Sequence, residues 1–208
     1  FYKTKVSAKV KLGDIKNDID SLGLKIRAEA GNPRVVVIID EYVNKILTGT
    51  KNAEATVMGK LLEKGYKVVD QEQLNKIKED DAIKAAALGD EKMAAFLGKK
   101  FDADIAVIAK VNTTSGLNNM EYLKDTFKSE SVMEYKVVKV STADALFAGK
   151  KDGRTWDVSE NMAVSKTVTN VAEAAGEEFA GNIADKLVES NSIKLTVYVS
   201  RPGMVIGK

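Results

Sequence analysis

The sequence has no cysteine and no histidine, and among its 208 residues there are only two prolines and one tryptophan. Without His or Cys there is no Ser-His-Asp triad, no Cys-His pair, no zinc-finger ligand set, and no haem or iron–sulfur ligation by those side chains. No disulfide can form, which leaves the compartment open. No apolar run approaches the roughly 20 residues that a membrane-spanning helix needs. Charge of one sign is also missing: 32 Lys and Arg stand against 30 Asp and Glu, a net +2. There is thus no global pull toward nucleic acid or an anionic membrane. What is present is ordinary globular material, 44% hydrophobic and 30% charged, in a chain long enough to bury a real core. The chain opens on Phe1 and not Met. We expect a processed product, with any signal peptide or lipid-anchor cysteine already removed.

Tyr2, Thr4, Val6, Ala8 and Val10 alternate with Lys3, Lys5, Ser7, Lys9 and Lys11, the period of a half-buried strand with a lysine-lined wet face. Gly13-Asp14 then caps a helix striped by Ile15, Ile19, Leu22 and Ile26, and Gly31-Asn32-Pro33 marks the clearest boundary in the chain. From Arg34 to Asp40 runs Val-Val-Val-Ile-Ile, a continuous β-branched stretch suited to a strand covered on both faces. A helix over 52–64 follows, with Ala55, Met58, Leu61 and Leu62 apolar and Gly65 at its end. Tyr66 to Asp70 reads as a short strand, and Asp70 with Gln73 resembles a capping box for a helix over 71–78. Asp80 and Asp90 cap further short helices over 81–88 and 91–100, with Gly89 and Gly98 read as helix ends.

Residues 104–111 make a third buried strand, and 112–128, polar and containing Gly116, read as a long loop. Strands near 130–141 and 145–157 turn at Thr142-Ala143-Asp144. The longest helix, 160–189, carries Val164, Val168, Val171, Ala175, Phe179, Ile183 and Leu187 three or four apart, one apolar stripe. Ile193, Leu195, Val197 and Val199 alternate as a last strand. The expected fold is α/β, a mixed sheet of parallel β-α-β units and an antiparallel hairpin packed by helices. Three segments result: 1–32, the end of a small preceding strand-helix module; 33–190, the α/β domain; and 191–208, a strand opening a following segment.

Ligands of open α/β sheets favour the carboxyl ends of parallel strands, which here carry Asp40, Glu41, Asp70 and Asn112-Thr113-Thr114. Asp40, Glu41 and Asp70 could hold Mg²⁺ through hard oxygen ligands; the competing and preferred reading is that Asp70, and Asp40 with it, cap helices. Gly49 to Lys60 and Gly89 to Lys99 have the wrong glycine spacing for a P-loop, and no G-x-G-x-x-G occurs. Glu177-Glu178 and Glu79-Asp80-Asp81 are carboxylate pairs, but adjacent helical positions diverge, so solvated faces and caps explain them. The tail from Arg201 to Lys208 resembles the approach to the G-x-x-G loop of KH domains. It stops before the second glycine, and no nucleic-acid partner is expected.

Four blocks carry a wider resemblance: Pro33 to Glu41, Ala55 to Asp70, Ala85 to Asp90, and Phe101 to Lys110. In this order they are similar to the bacterial envelope family that contains the middle domain of the flagellar assembly protein FlgT. CsgG of curli secretion, the lipoprotein LpoB and the N-terminal domain of TolB are related to it in fold. The resemblance covers about residues 33–190. It implies a CsgG/TolB-N-like sheet and a periplasmic, often lipid-anchored protein. Such a protein acts without catalysis, through contacts with other envelope proteins or with itself. It implies no catalytic, cofactor-binding or metal-binding residue, and membrane contact only through an anchor outside the sequence. A CsgG-type pore is not expected, because 112–128 is too short for two membrane hairpins and the strands after it lack a lipid-facing apolar band.

Overall fold

A computed structural model describes residues 31–70, 86, 89–118 and 125–191. The expected strand 2–10, the helix over 15–26, the helix over 71–78 and the strand 193–199 lie outside the described residues, as does Glu79-Asp80-Asp81. Of the helix expected over 81–88 only Ala86 is described, helical and buried.

The elements are β1 (Arg34–Val43), β2 (Ile46–Leu47), α1 (Asn52–Glu63), β3 (Lys67–Val68), α2 (Glu91–Lys100), β4 (Ile105–Leu117), β5 (Phe127–Lys139), β6 (Asp144–Asp157) and α3 (Glu160–Asn191). They form one mixed sheet in the order β2-β1-β4-β5-β6, with β3 also on β1. β1 runs parallel to β3 and to β4, whereas β4, β5 and β6 form an antiparallel meander. The expected fold class is the one observed.

Period-two alternation divides the core into two layers. Val35, Val37 and Ile39 point toward α1 and α3, and pack with Val57, Leu61, Phe179 and Ile183. Val36 and Ile38 point the other way, onto Leu97, Phe101 and Ala94 at α2. Both faces of β1 are therefore covered, as its unbroken β-branched run required. The stripe of α3 is buried as expected from Val168 to Leu187, with Val164 at its margin. In α1 the buried line is Ala53, Val57 and Leu61, with Met58 packed at its margin, while Ala55 and Leu62 are exposed; the core-facing side is turned from the one that Ala55 and Leu62 indicated.

Three further expectations change. The loop 112–128 is largely strand: β4 continues to Leu117 and β5 starts at Phe127. The polar composition that suggested a loop is a hydroxyl layer. Thr113, Ser129, Ser131 and Thr167 are all buried. Thr113 and Ser131 share a hydrogen bond of 2.8 Å. Thr155 and Thr167 both donate to the Ala163 carbonyl, at 2.8 and 2.7 Å. Second, Gly98 does not end α2. A Cβ there would fall inside van der Waals contact of the Val140 methyls, so the glycine lets α2 lie close on the sheet. Third, the turn after β5 comes at 140–143, where Ala143 takes φ +62°.

Other local readings hold. Asp90 caps α2, its Oδ1 accepting from Lys92 N and Met93 N at 2.9 and 3.1 Å. Gly65, at φ +81°, ends α1, with Gly65 N donating to Leu62 O and Tyr66 N to Leu61 O. No helix among the described residues is long and apolar enough to cross a membrane.

Candidate functional site

The parallel strands β1 and β4 bring their carboxyl ends to one end of the sheet, where the sequence placed its candidate carboxylates. A crevice of about 470 Å³ opens there, walled by Glu41, Thr48, Thr50, Asn52, Ser115 and Glu160 above Val43, Val164 and Val168. The first turns of α1 and α3 both face it, through Asn52 and Glu160.

Glu41 is only 3% exposed. Its Oε1 accepts from Ala53 N at 2.8 Å and its Oε2 from the Thr50 hydroxyl at 3.0 Å. The residue adjoining α1, Lys51, makes no side-chain cap of its own. Glu41 thus caps α1 from the neighbouring strand, supplying the acceptor and the negative charge that a helix start favours. Burial pushes its carboxyl above the usual range, while the bonds from Ala53 and Thr50 pull it back. Lys51 bridges the Ile39 carbonyl and Glu54, the latter at 3.1 Å. At the other wall the Ser115 hydroxyl donates to Glu160 at 2.7 Å, and Asn44 Oδ1 accepts from Ser115 N at 3.0 Å. Both helix starts are therefore already matched with carboxylates.

Asp40, Glu41 and Asp70 are not brought together. Asp40 and Glu41 are consecutive strand residues and point to opposite faces. Asp40 is half-buried on the α2 side, in register with Lys110, whose ammonium lies 4.5 Å above the Tyr42 ring. Asp70 is exposed and follows β3, which pairs with the first residues of β1. That leaves it several residues short of Glu41, more than about 10 Å along the strand. Among the described residues no three carboxylates converge. The helix-cap reading therefore describes the strand end, but Glu41 does the capping that was assigned to Asp40. Of the Glu177-Glu178 pair, Glu178 meets Lys151 at 2.5 Å while Glu177 reaches Lys60 at 4.0 Å; the two diverge as adjacent helical positions must.

What residue-type reasoning did not anticipate is an apolar rim at this same end. Asn44 and Lys45, at φ +49° and +70°, form a two-residue turn that raises Ile46 and Leu47, 71% and 54% exposed. On the last rung of the sheet Leu117 pairs with Phe127, and Phe127 with Asp157. Leu117, Val158 after β6 and Met162 in the first turn of α3 are 67%, 76% and 50% exposed. The signal in the sequence was slight: an Asn at a two-residue turn between apolar pairs, and apolar residues beside strand ends.

No family model matches this chain, and no curated protein does. Among solved structures it is similar to the lipoprotein GNA1162 from Neisseria meningitidis, at 16% identity over 72% of this chain and 99% of that one, TM-score 0.48. It is similar to the LpoB C-terminal domain from Salmonella enterica, at 17% identity over 64% and 93% of the two chains, TM-score 0.40. PelC from Paraburkholderia phytofirmans, a dodecamer, is similar at 11% identity over 71% and 88%, TM-score 0.45.

Proposed function

We propose that this chain is a non-enzymatic assembly or scaffolding module of the bacterial cell envelope, working through protein–protein contacts. The observation that carries the reading is the apolar rim: Ile46, Leu47, Leu117, Val158 and Met162, large side chains more than half or about half exposed, gathered at one end of the sheet. Large exposed apolar side chains collected at one end of a domain mark a place where another macromolecule sits. The polar crevice beside it has its carboxylates engaged in helix starts and in hydroxyl bonds, which suits a rigid platform. The envelope setting is supported by the ordered blocks at 33–41, 55–70, 85–90 and 101–110, which resemble the FlgT-middle family. A periplasmic location, with a lipid anchor outside this sequence, belongs to the same reading.

Photo-crosslinking in living cells tests it. A crosslinker placed at Leu117 and at Val158 should give one discrete protein adduct in the envelope fraction. The adduct should be absent when the crosslinker sits at exposed Lys64 at the far end of α1, and should vanish when the remaining rim residues are made polar: V158S/M162S with the crosslinker at 117, L117S/M162S with it at 158. Equal labelling from all three positions, or recovery of the native protein in the cytosol, overturns the reading.

A further inference from the structure

β6 is the outermost strand of the sheet. Its inner edge pairs with β5 from Asp144 to Asp157, and among the described residues no strand pairs with its outer edge. An edge of fourteen residues leaves a row of N–H and C=O groups open, and such a row must be blunted or paired. The charges along it decide between these. On the sheet face away from α3, one rung reads Asp40, Lys110, Glu134, Lys150 across β1, β4, β5 and β6. Sign alternates at every step and stops on a cation. The next rung reads Tyr42, Asn112, Val132, Asp152 and stops on an anion, with no cation on that rung. The other cations of β6 are satisfied within the chain: Lys151 by Glu178 and Arg154 by Glu130. Lys150 and Asp152 have no ion-pair partner among the described residues.

We infer that the outer edge of β6 pairs with the same edge of a second copy, antiparallel, about a two-fold axis at Lys151. That register sets Lys150 opposite the partner's Asp152 and Asp152 opposite the partner's Lys150. The alternating rung is then extended by one anion, and the lone Asp152 at the end of the other rung gains a cation. Two residues further out, Ala148 faces the partner's Arg154; beyond it the register ends at the bulge of Leu146, whose side chain packs on the α3 side. On the α3 side Gly149 faces the partner's Gly153, so no bulky pair separates the backbones there. The two Lys151 side chains meet at the axis, each already held by its own Glu178. Because opposed residues share parity, both copies of α3 lie on one face of the joined sheet. A shift of the axis by one residue in either direction along β6 loses both ion pairs: at residue 150 Lys150 faces itself, and at residue 152 it faces Arg154. The contact is isologous and closes on itself. It involves neither the apolar rim nor the functional reading above, and stands or falls separately.

Sedimentation velocity of the 208-residue chain across a concentration series tests the register by exchange of charge. Wild type should form a dimer that weakens at high salt. K150D sets Asp against Asp, and D152K sets Lys against Lys, at two symmetric positions. Each should raise the dimer dissociation constant about tenfold or more, with unchanged far-UV circular dichroism showing that the fold is kept. The swap K150D/D152K should restore the dimer, and so should an equimolar mixture of the two single variants, which re-pairs every charge. A wild type that stays monomeric at all concentrations overturns the inference. So does a dimer indifferent to both single reversals, or single variants that neither the swap nor the mixture rescues.

Discussion

Removing the carboxylate of Glu41 tests how α1 is started. In Glu41→Ala the Ala53 N–H, in a fully buried residue, loses its acceptor. A buried donor left without a partner costs about 1–3 kcal/mol, and a lost N-cap about 1 kcal/mol. These overlap, so the expected loss is about 1–3 kcal/mol, a sizeable share of a typical domain's 5–15 kcal/mol. Thr50 loses little, because its hydroxyl also contacts the Thr48 hydroxyl at 2.7 Å. Glu41→Gln keeps one acceptor oxygen for Ala53 and should cost clearly less than Glu41→Ala. The pH dependence has a definite sign. Burial raises the folded carboxyl's pKa above its ordinary 4.5, so the folded chain holds this proton more tightly than the unfolded one. Its contribution to stability is fullest below the ordinary value, and it declines as pH rises from there through the raised one. The uncharged Gln is indifferent to this, so its deficit should be larger at pH 4 than at pH 7. Urea unfolding of the three proteins at both pH values is the assay. A Glu41→Ala loss below about 0.5 kcal/mol would refute the long-range cap; a Gln deficit that grows with pH would refute the electrostatic part.

Other expectations are separable. A Cβ at residue 149 would stand 2.6 Å from the Tyr135 hydroxyl oxygen, so Gly149→Ala should cost about 1–3 kcal/mol by overpacking. Adding Tyr135→Phe should recover part of it, a non-additivity read from a double-mutant cycle in urea. Lys151 holds the Glu178 carboxyl below its usual range, so its stabilisation is present above the ordinary 4.5 and is lost as pH falls below it. Glu178→Gln should therefore flatten the melting temperature against pH on the acid side of that value. Asp90→Ala should lower stability by about 1 kcal/mol, with Asp90→Ser nearly neutral, as the loss of a local cap would.

The parts of the fold legible in the sequence were those in which one physical requirement dominates. Val35 to Ile39 need cover on both faces, and the stripe from Val168 to Leu187 needs one long partner surface; both appear as expected. The region 112–117 was misread because buried hydroxyls imitate solvated ones: Thr113 looks the same on paper whether it faces water or Ser131. Gly98 was misread because glycine at a helix end and glycine at a close helix–sheet contact differ only in what lies across the gap, and Val140 is 42 residues away in the chain. For the candidate site the sequence located the correct strand ends, yet it could not assign Glu41 to α1. That bond spans 12 residues and depends on where β1 stops relative to Asn52.

The buried hydroxyls under α3 also divide that helix mechanically. From Val168 onward it is held by apolar side chains, whose attraction has no preferred direction and fades only gradually as surfaces separate. Before Thr167 it is tied to the sheet by polar bonds, from the Thr155 hydroxyl to the Ala163 carbonyl and from the Ser115 hydroxyl to Glu160, which lose alignment over a fraction of an ångström and which water can replace one for one. A pull on the helix is therefore borne along most of its length as on a spring, while its first two turns act as a latch. The latch lies beside Val158 and Met162, so a load applied at the apolar rim reaches the brittle part of the helix before the compliant one.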